Sequence, residues 1–153
     1  MVELEVLGVS MDGQHVPLVL LRHEERVLPI MIGPAEAESI HLALMNESVG
    51  RPLSHDLICN LLAGLRGELQ SVVIYKLEND TFYAHLNIEQ KSPEGEVEQV
   101  LRVDSRPSDG IGIACRLKAP IFAAEEVMDL ASQEMAVQEE EEDDEPDTAD
   151  DDS

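Results

Sequence analysis

Thr81-Phe82-Tyr83-Ala84-His85-Leu86-Asn87-Ile88 alternates without a break. Phe82, Ala84, Leu86 and Ile88 fall on one face, and Tyr83, His85 and Asn87 on the other. That two-residue period is the mark of a half-buried strand. Upstream, Val72 to Leu77 is rich in β-formers, and Asn79-Asp80 turns the chain between the two runs. Downstream, Ser92 to Gly95 turns it again and Glu96 to Val103 returns. The stretch reads as a three-strand antiparallel meander.

The N-terminal third repeats this pattern. Val2, Leu4, Val6 and Val9 carry an alternating strand, Asp12-Gly13 turns, and His15 to Leu21 forms a hairpin with it. Val27 to Ile32 follows after a polar turn. Gly33-Pro34 then opens a helix running to about Met45, since Pro suits the first helical position and Glu36 and Glu38 favour the positive end of the dipole. Gly50-Arg51-Pro52 breaks it. Ser54 is placed to cap a second helix, which carries Leu57, Ile58, Leu61, Leu62 and Leu65 at helical spacing and ends at Gly67. After the second meander come a short helix from Gly110 to Leu117, a strand at Pro120 to Ala123 and a helix from Glu125 to Ala131. Three strands, two helices, three strands, helix, strand, helix is a segregated order. It predicts a single α+β domain: an antiparallel or mixed sheet built from two three-strand meanders with helices packed against it.

Residues 1–133 form this domain in the sequence reading, and 134–153 form a disordered acidic tail. Of the 33 acids, 12 lie from Glu134 onward, where there is no Lys or Arg, and the remaining 21 against 10 bases leave −11 of the net −23 on the domain. From Gln138 on, no apolar side chain larger than Ala149 is available to offset the entropy of ordering. So large an acid surplus argues against a protein that holds polyanions through an extended basic surface, because such affinity comes from Lys and Arg neutralising phosphates. It allows a tail that docks a basic partner. The N-terminus has no basic region or long apolar run, and no stretch is long enough to span a membrane, so a cytoplasmic protein is expected. Cys59 and Cys115 sit within helical apolar patterns and read as small buried hydrophobes.

Chemistry concentrates in two loops. Arg51-Pro52-Leu53-Ser54-His55-Asp56 and Asp104-Ser105-Arg106-Pro107-Ser108-Asp109 each set an Arg-Pro pair, a hydroxyl and an acid at the start of a helix. Free N–H groups at a helix N-terminus, with Arg as a planar donor, make a seat for phosphate. Arg51, Arg106, Ser54 and Ser108 are the candidate phosphate-binding residues. Asp56, Asp104 and Asp109 are hard oxygen ligands suited to Mg²⁺ or Mn²⁺. His55 suits general acid–base work or ligation. The same groups can serve the fold alone, as caps, dipole acids and loop-holding ion pairs. Glu36 reads as a helix N-terminal acid.

These blocks carry a family resemblance. Leu28-Pro29-Ile30, Ile32-Gly33, Glu36-Ala37 and Ile40, then Arg51-Pro52 with Ser54-His55-Asp56-Leu57, then Phe82-Tyr83-Ala84, Asp104 to Asp109 and Ala119-Pro120-Ile121 together resemble the bifunctional nuclease domain family. The resemblance runs from about Val2 to Met128. It departs in two places: Ser54 stands where Thr is usual, and Gly110 where Ala is common. It implies a compact α+β domain, often dimeric, associated in some members with cleavage of RNA and DNA. The expected activity is metal-assisted phosphodiester hydrolysis, with His55, Asp56, Asp104 and Asp109 as the catalytic set. The rival expectation is a non-catalytic dimeric binding or regulatory module.

Overall fold

Two sets of tight turns fold the chain into two antiparallel meanders. Strand β1 (Val2–Met11) turns into β2 (Pro17–His23) where the Asp12 carboxylate accepts the backbone N–H groups of Gln14 and Val16, both at 2.8 Å. Strand β3 (Arg26–Met31) follows. The second meander is β4 (Gly67–Glu78), β5 (Thr81–Lys91) and β6 (Val97–Ser105). Asn79 and Asp80 link β4 to β5 with positive φ at both positions, 51° and 59°, as a two-residue type I′ turn requires. The computed structural model describes residues 1–135, so the acidic segment lies outside it from residue 136 onward.

Strand β7 (Ile121–Ala123) joins the meanders. It pairs antiparallel with β1 on one edge and parallel with β4 on the other. The result is one open eight-stranded mixed sheet in the order β6-β5-β4-β7-β1-β2-β3-β8, the α+β domain read from the sequence. The last strand, β8 (Gln133–Glu134), was not anticipated; it pairs with β3, and the Met135 N–H donates to Glu25 O at 2.7 Å. Glu134, expected to begin the tail, is thus held by the sheet.

Helices α1 (Pro34–Leu44), α2 (Ser54–Gly64), α3 (Pro107–Leu117) and α4 (Glu125–Ala131) pack against the sheet. Ala84, Leu86 and Ile88 of β5 are buried as the alternation predicts, with Val72 and Ile74 of β4 beside them. Helix α3 touches α1, α2, β4 and β5, and is buried on most of its surface from Pro107 to Ala114. It starts at Pro107 rather than Gly110, because Pro presets the helical φ and has no N–H to satisfy. Ser108 and Asp109 therefore lie in its first turn. Gly110 has a packing reason that the sequence alone hides: a Cβ there would stand 2.8 Å from Val72 Cγ1. Helix α2 differs from its reading. Its cap residue is Leu53, not Ser54, and it ends at Gly64 with Arg66 in the left-handed region, so Gly67 opens β4 instead of closing the helix. Ile58, Cys59 and Leu62 pack against the core, while Leu57, Leu61 and Leu65 stand exposed as a stripe. Cys59 and Cys115 are half-buried free thiols, and burial raises both above the ordinary value of 9.0. Among the described residues, no helix is long and apolar enough to cross a membrane.

Candidate active site

The first turns of α2 and α3 face each other beside α1, and this brings the two polar loops together. His55, 5% exposed, donates from Nε2 to Asp109 Oδ1 at 2.9 Å. Its Nδ1 lies 2.7 Å from Ser39 Oγ on α1. Arg116, near the end of α3, donates to Ser39 Oγ at 3.0 Å, to Asp56 Oδ1 at 2.7 Å and to Gly112 O at 2.9 Å. Arg116 fills one lone pair of Ser39, and the His55 Nε2–H points to a carboxylate that can only accept, so both ring nitrogens of His55 are engaged.

The ring sits on glycine. A Cβ at Gly112 would lie 2.3 Å from His55 Nδ1 and 2.5 Å from Cε1. Gly112→Ala is expected to push the ring off Ser39 and to destabilise the protein by about 1–3 kcal/mol through overpacking. The gain in helix propensity, about 1 kcal/mol, offsets part of this. Urea unfolding measures the net change, and an unchanged midpoint with unchanged His55 ring chemical shifts would sink the expectation.

Arg106 spans the mouth of the site. Its Nε donates to Asp109 Oδ2 at 3.0 Å, and its Nη2 to Asp109 Oδ1 at 3.2 Å and to Glu36 Oε1 at 3.0 Å. Its side chain is 65% exposed. Among the described residues Nη1 has no partner, which leaves two N–H groups facing outward. Glu36, Ser39, Ser54, His55, Arg106 and Asp109 border a cavity of about 300 Å³.

The carboxyls are held ionised. Burial alone would raise Asp109, but hydrogen bonds from Arg106 and His55 outweigh it and keep the group below its ordinary 3.8. Asp56 is lowered first by the hydrogen bond from Arg116, then by the Leu53 N–H at 2.9 Å. Glu36 is lowered by its own backbone N–H and then by Arg106. Groups lowered on folding bind protons more weakly in the folded chain than in the unfolded one. Their contribution to stability is therefore complete above the unfolded value and is lost as pH falls through the folded one. The urea midpoint is expected to drop between about pH 5 and about pH 3, and to drop less in Asp56→Asn. Equal drops in both proteins would mean that Asp56 has no part in it.

A family profile described as the bifunctional nuclease domain matches residues 18–136. The chain belongs to the bifunctional nuclease domain family. It is 38% identical over 129 residues to an uncharacterized protein of Mycobacterium tuberculosis, covering 82% of this chain and 73% of that one. It is 27% identical over 108 residues to bifunctional nuclease 1 of Arabidopsis thaliana, and 26% identical over 118 residues to bifunctional nuclease 1 of Oryza sativa subsp. indica. These matches cover 69% and 76% of this chain but 32% and 35% of the plant proteins, so the chain spans about a third of their length.

In this bifunctional nuclease domain, Ser54, His55, Arg106 and Asp109 all border the cavity. Ser54 is free to face it because Leu53 takes the cap position. The other expected residues lie elsewhere. Asp56 is turned away to Arg116. Arg51 is exposed in the loop before α2 and makes no ion pair among the described residues. Ser108 is buried on the other side of Arg106. Asp104 is exposed on β6, in register opposite His85, and does not border the cavity. Asp56, Asp104 and Asp109 therefore do not fit a shared Mg²⁺ or Mn²⁺: Asp56 is turned to Arg116 and Asp104 lies on β6 away from the cavity that Asp109 borders. Among the described residues, no three His, Cys, Asp or Glu side chains converge on one point. Glu36, read as a dipole acid, borders the cavity with Asp109, and so does Glu38. Ser39 and Arg116 escaped the sequence reading altogether. Ser39 lies mid-helix with no motif around it, and Arg116 lies seven residues beyond the end of the Asp104 to Asp109 block.

Proposed function

We propose that this chain is a nuclease that hydrolyses phosphodiester bonds of RNA and DNA with little sequence preference, at the cavity between α1, α2 and the first turn of α3. The observation that carries the reading is the meeting of the two loops at one carboxylate, Asp109, shared by His55 and Arg106. Arg106 presents its free Nη1 to a phosphoryl oxygen and stabilises the charge that grows there in the transition state. Asp109, ionised at neutral pH, accepts a proton from the attacking water at Oδ2, where Arg106 Nε is the one donor among the described residues, as the new P–O bond forms; the P–O bond to the leaving nucleotide oxygen breaks, and that oxygen takes its proton from solvent water. His55 has both ring nitrogens engaged behind Asp109 and acts by positioning it. Ser39, itself held by Arg116, fixes the His55 ring at Nδ1 in turn.

The test is single-turnover cleavage of labelled RNA and single-stranded DNA by the full chain in Mg²⁺, Mn²⁺ or EDTA. Cutting in any condition that is lost on mutating Asp109 supports the nuclease. No cutting in any condition overturns it.

The rival reading, a non-catalytic homodimeric module, has two observations in its favour. Glu36 and Asp109 outnumber Arg106 at the cavity mouth, so the site repels a bare phosphate until Arg106 is released. The exposed Leu57, Leu61 and Leu65 stripe on α2 is the kind of surface that pairs copies.

A further inference from the structure

Arg106 borders two hollows. On its far side from the small cavity runs a groove of about 760 Å³, lined by Ile30, Met31, Ile32, Phe82 and Leu130 among others. Met31 and Leu130 are each 69% exposed at its edge, and Phe82 is half-buried. The blocks around Ile30, Ile32 and Phe82 give no group to the small cavity. They supply this groove instead.

We propose that the groove receives the nucleobase of a nucleotide adjoining the scissile phosphate, and that the substrate is therefore single-stranded. This rests on the nuclease reading of the small cavity. Continuity is the first argument: Arg106 borders both hollows, so a phosphate held at Arg106 sets the neighbouring nucleotide beside the groove. The second argument is charge. The chain carries −23 overall, and the cavity sets one guanidinium against three carboxylates, Glu36, Glu38 and Asp109. Affinity cannot come from neutralising many phosphates, so burial of a base has to supply it. An apolar wall with one aromatic ring does this for any base, because every base has a π-face. Four aromatic residues in the whole chain are too few for an extended stacking platform, but Phe82 is enough for one base. A base inside a duplex is stacked and paired and cannot enter, so a single strand is the form that fits.

The proposal is tested by equilibrium binding of a short labelled single-stranded oligonucleotide to the full chain, beside the same strand with an abasic position moved along it. Duplex of the same sequence is the third probe, and salt is varied throughout. Phe82→Leu keeps the core filled, and Met31→Glu changes only an exposed edge. Binding and cleavage of the single strand are expected to fall about 5- to 150-fold in each variant. One abasic position should weaken binding to the parent protein by a similar factor and to Phe82→Leu by less. The salt dependence should correspond to one or two phosphate contacts. Equal binding of abasic, intact and duplex probes would overturn the proposal. So would variants that cut and bind as the parent does while Asp109→Asn does not cut; the nuclease reading would then survive alone. If nothing is cut, the nuclease reading falls, and binding of a nucleoside monophosphate against ribose 5-phosphate still decides the groove. A Met31→Glu protein that changes its sedimentation but not its binding would assign the groove to a contact between copies and overturn the proposal.

Discussion

Asp109→Asn is expected to lower the single-turnover cleavage rate by about 10²–10⁴-fold, the range that a positioned general base contributes. Asparagine is nearly isosteric, and its carbonyl still accepts the His55 Nε2–H, so the wall of the cavity stays in place. What it loses is the capacity to take a proton and the charge that holds Arg106 Nε and Nη2. The guanidinium is then freer to bind phosphate. Substrate affinity should therefore hold or rise while the rate falls, and that split separates a reacting carboxylate from one that merely shapes the site. A rate within a few-fold of the parent, with an unchanged unfolding midpoint, would remove Asp109 from the chemistry. His55→Gln is the companion variant. It should lose less, because it loosens the carboxylate without deleting it.

Arg116→Met carries the largest stability effect. The Arg116 side chain is 12% exposed and holds Asp56, Ser39 and the Gly112 carbonyl at once. Removing one member of a buried ion pair costs about 3–5 kcal/mol, because the other charge is left without a partner. The Asp56 side chain is 38% exposed, so water recovers part of that and about 2–3 kcal/mol is expected here. That is a large share of the 5–15 kcal/mol typical of a whole domain. Urea unfolding of Arg116→Met, Asp56→Leu and the double variant gives the coupling. The double should be more stable than the sum of the singles predicts, since no unpaired charge remains. A loss under about 1 kcal/mol in Arg116→Met would mean that the pair is not an anchor of the α2–α3 contact. The same variant removes the donor that holds Ser39 in place and so loosens the His55 ring behind Asp109. Its activity should fall even where the protein is fully folded.

The sheet was legible because its signals are local. The alternation from Phe82 to Ile88 and the Asn79-Asp80 turn fixed the hairpin between β4 and β5, and both meanders formed, although β4 begins at Gly67, five residues before the Val72 at which the pattern starts it. Helix boundaries were less so. Pro107, read as loop, is the first residue of α3, and Ser54, read as the cap, is the first residue of α2, whose cap is Leu53. In each case two adjacent residues could start the helix, and contacts to other elements decided between them. The two short strands show a sharper limit. Nothing in Ile121–Ala123 says that it joins two meanders, and nothing in Gln133–Glu134 says that it closes an edge. The exposed Leu57, Leu61 and Leu65 follow the same helical spacing as Ile58 and Leu62, so periodicity alone could not tell which leucines the sheet covers.

The sequence by itself determined the α+β class, the two loops in which the polar chemistry lies, and the resemblance that the family match bears out. Each of these is carried by residues close along the chain. Which members of those loops act together was decided by the tertiary structure. His55 meets Asp109 across 54 positions, and Arg106 meets Glu36 across 70. Asp104 lies only five residues from Asp109, yet the step from an edge strand into a helix turns it away. Hydrogen bonds form over about 3 Å of space, and distance along the chain neither grants nor forbids them.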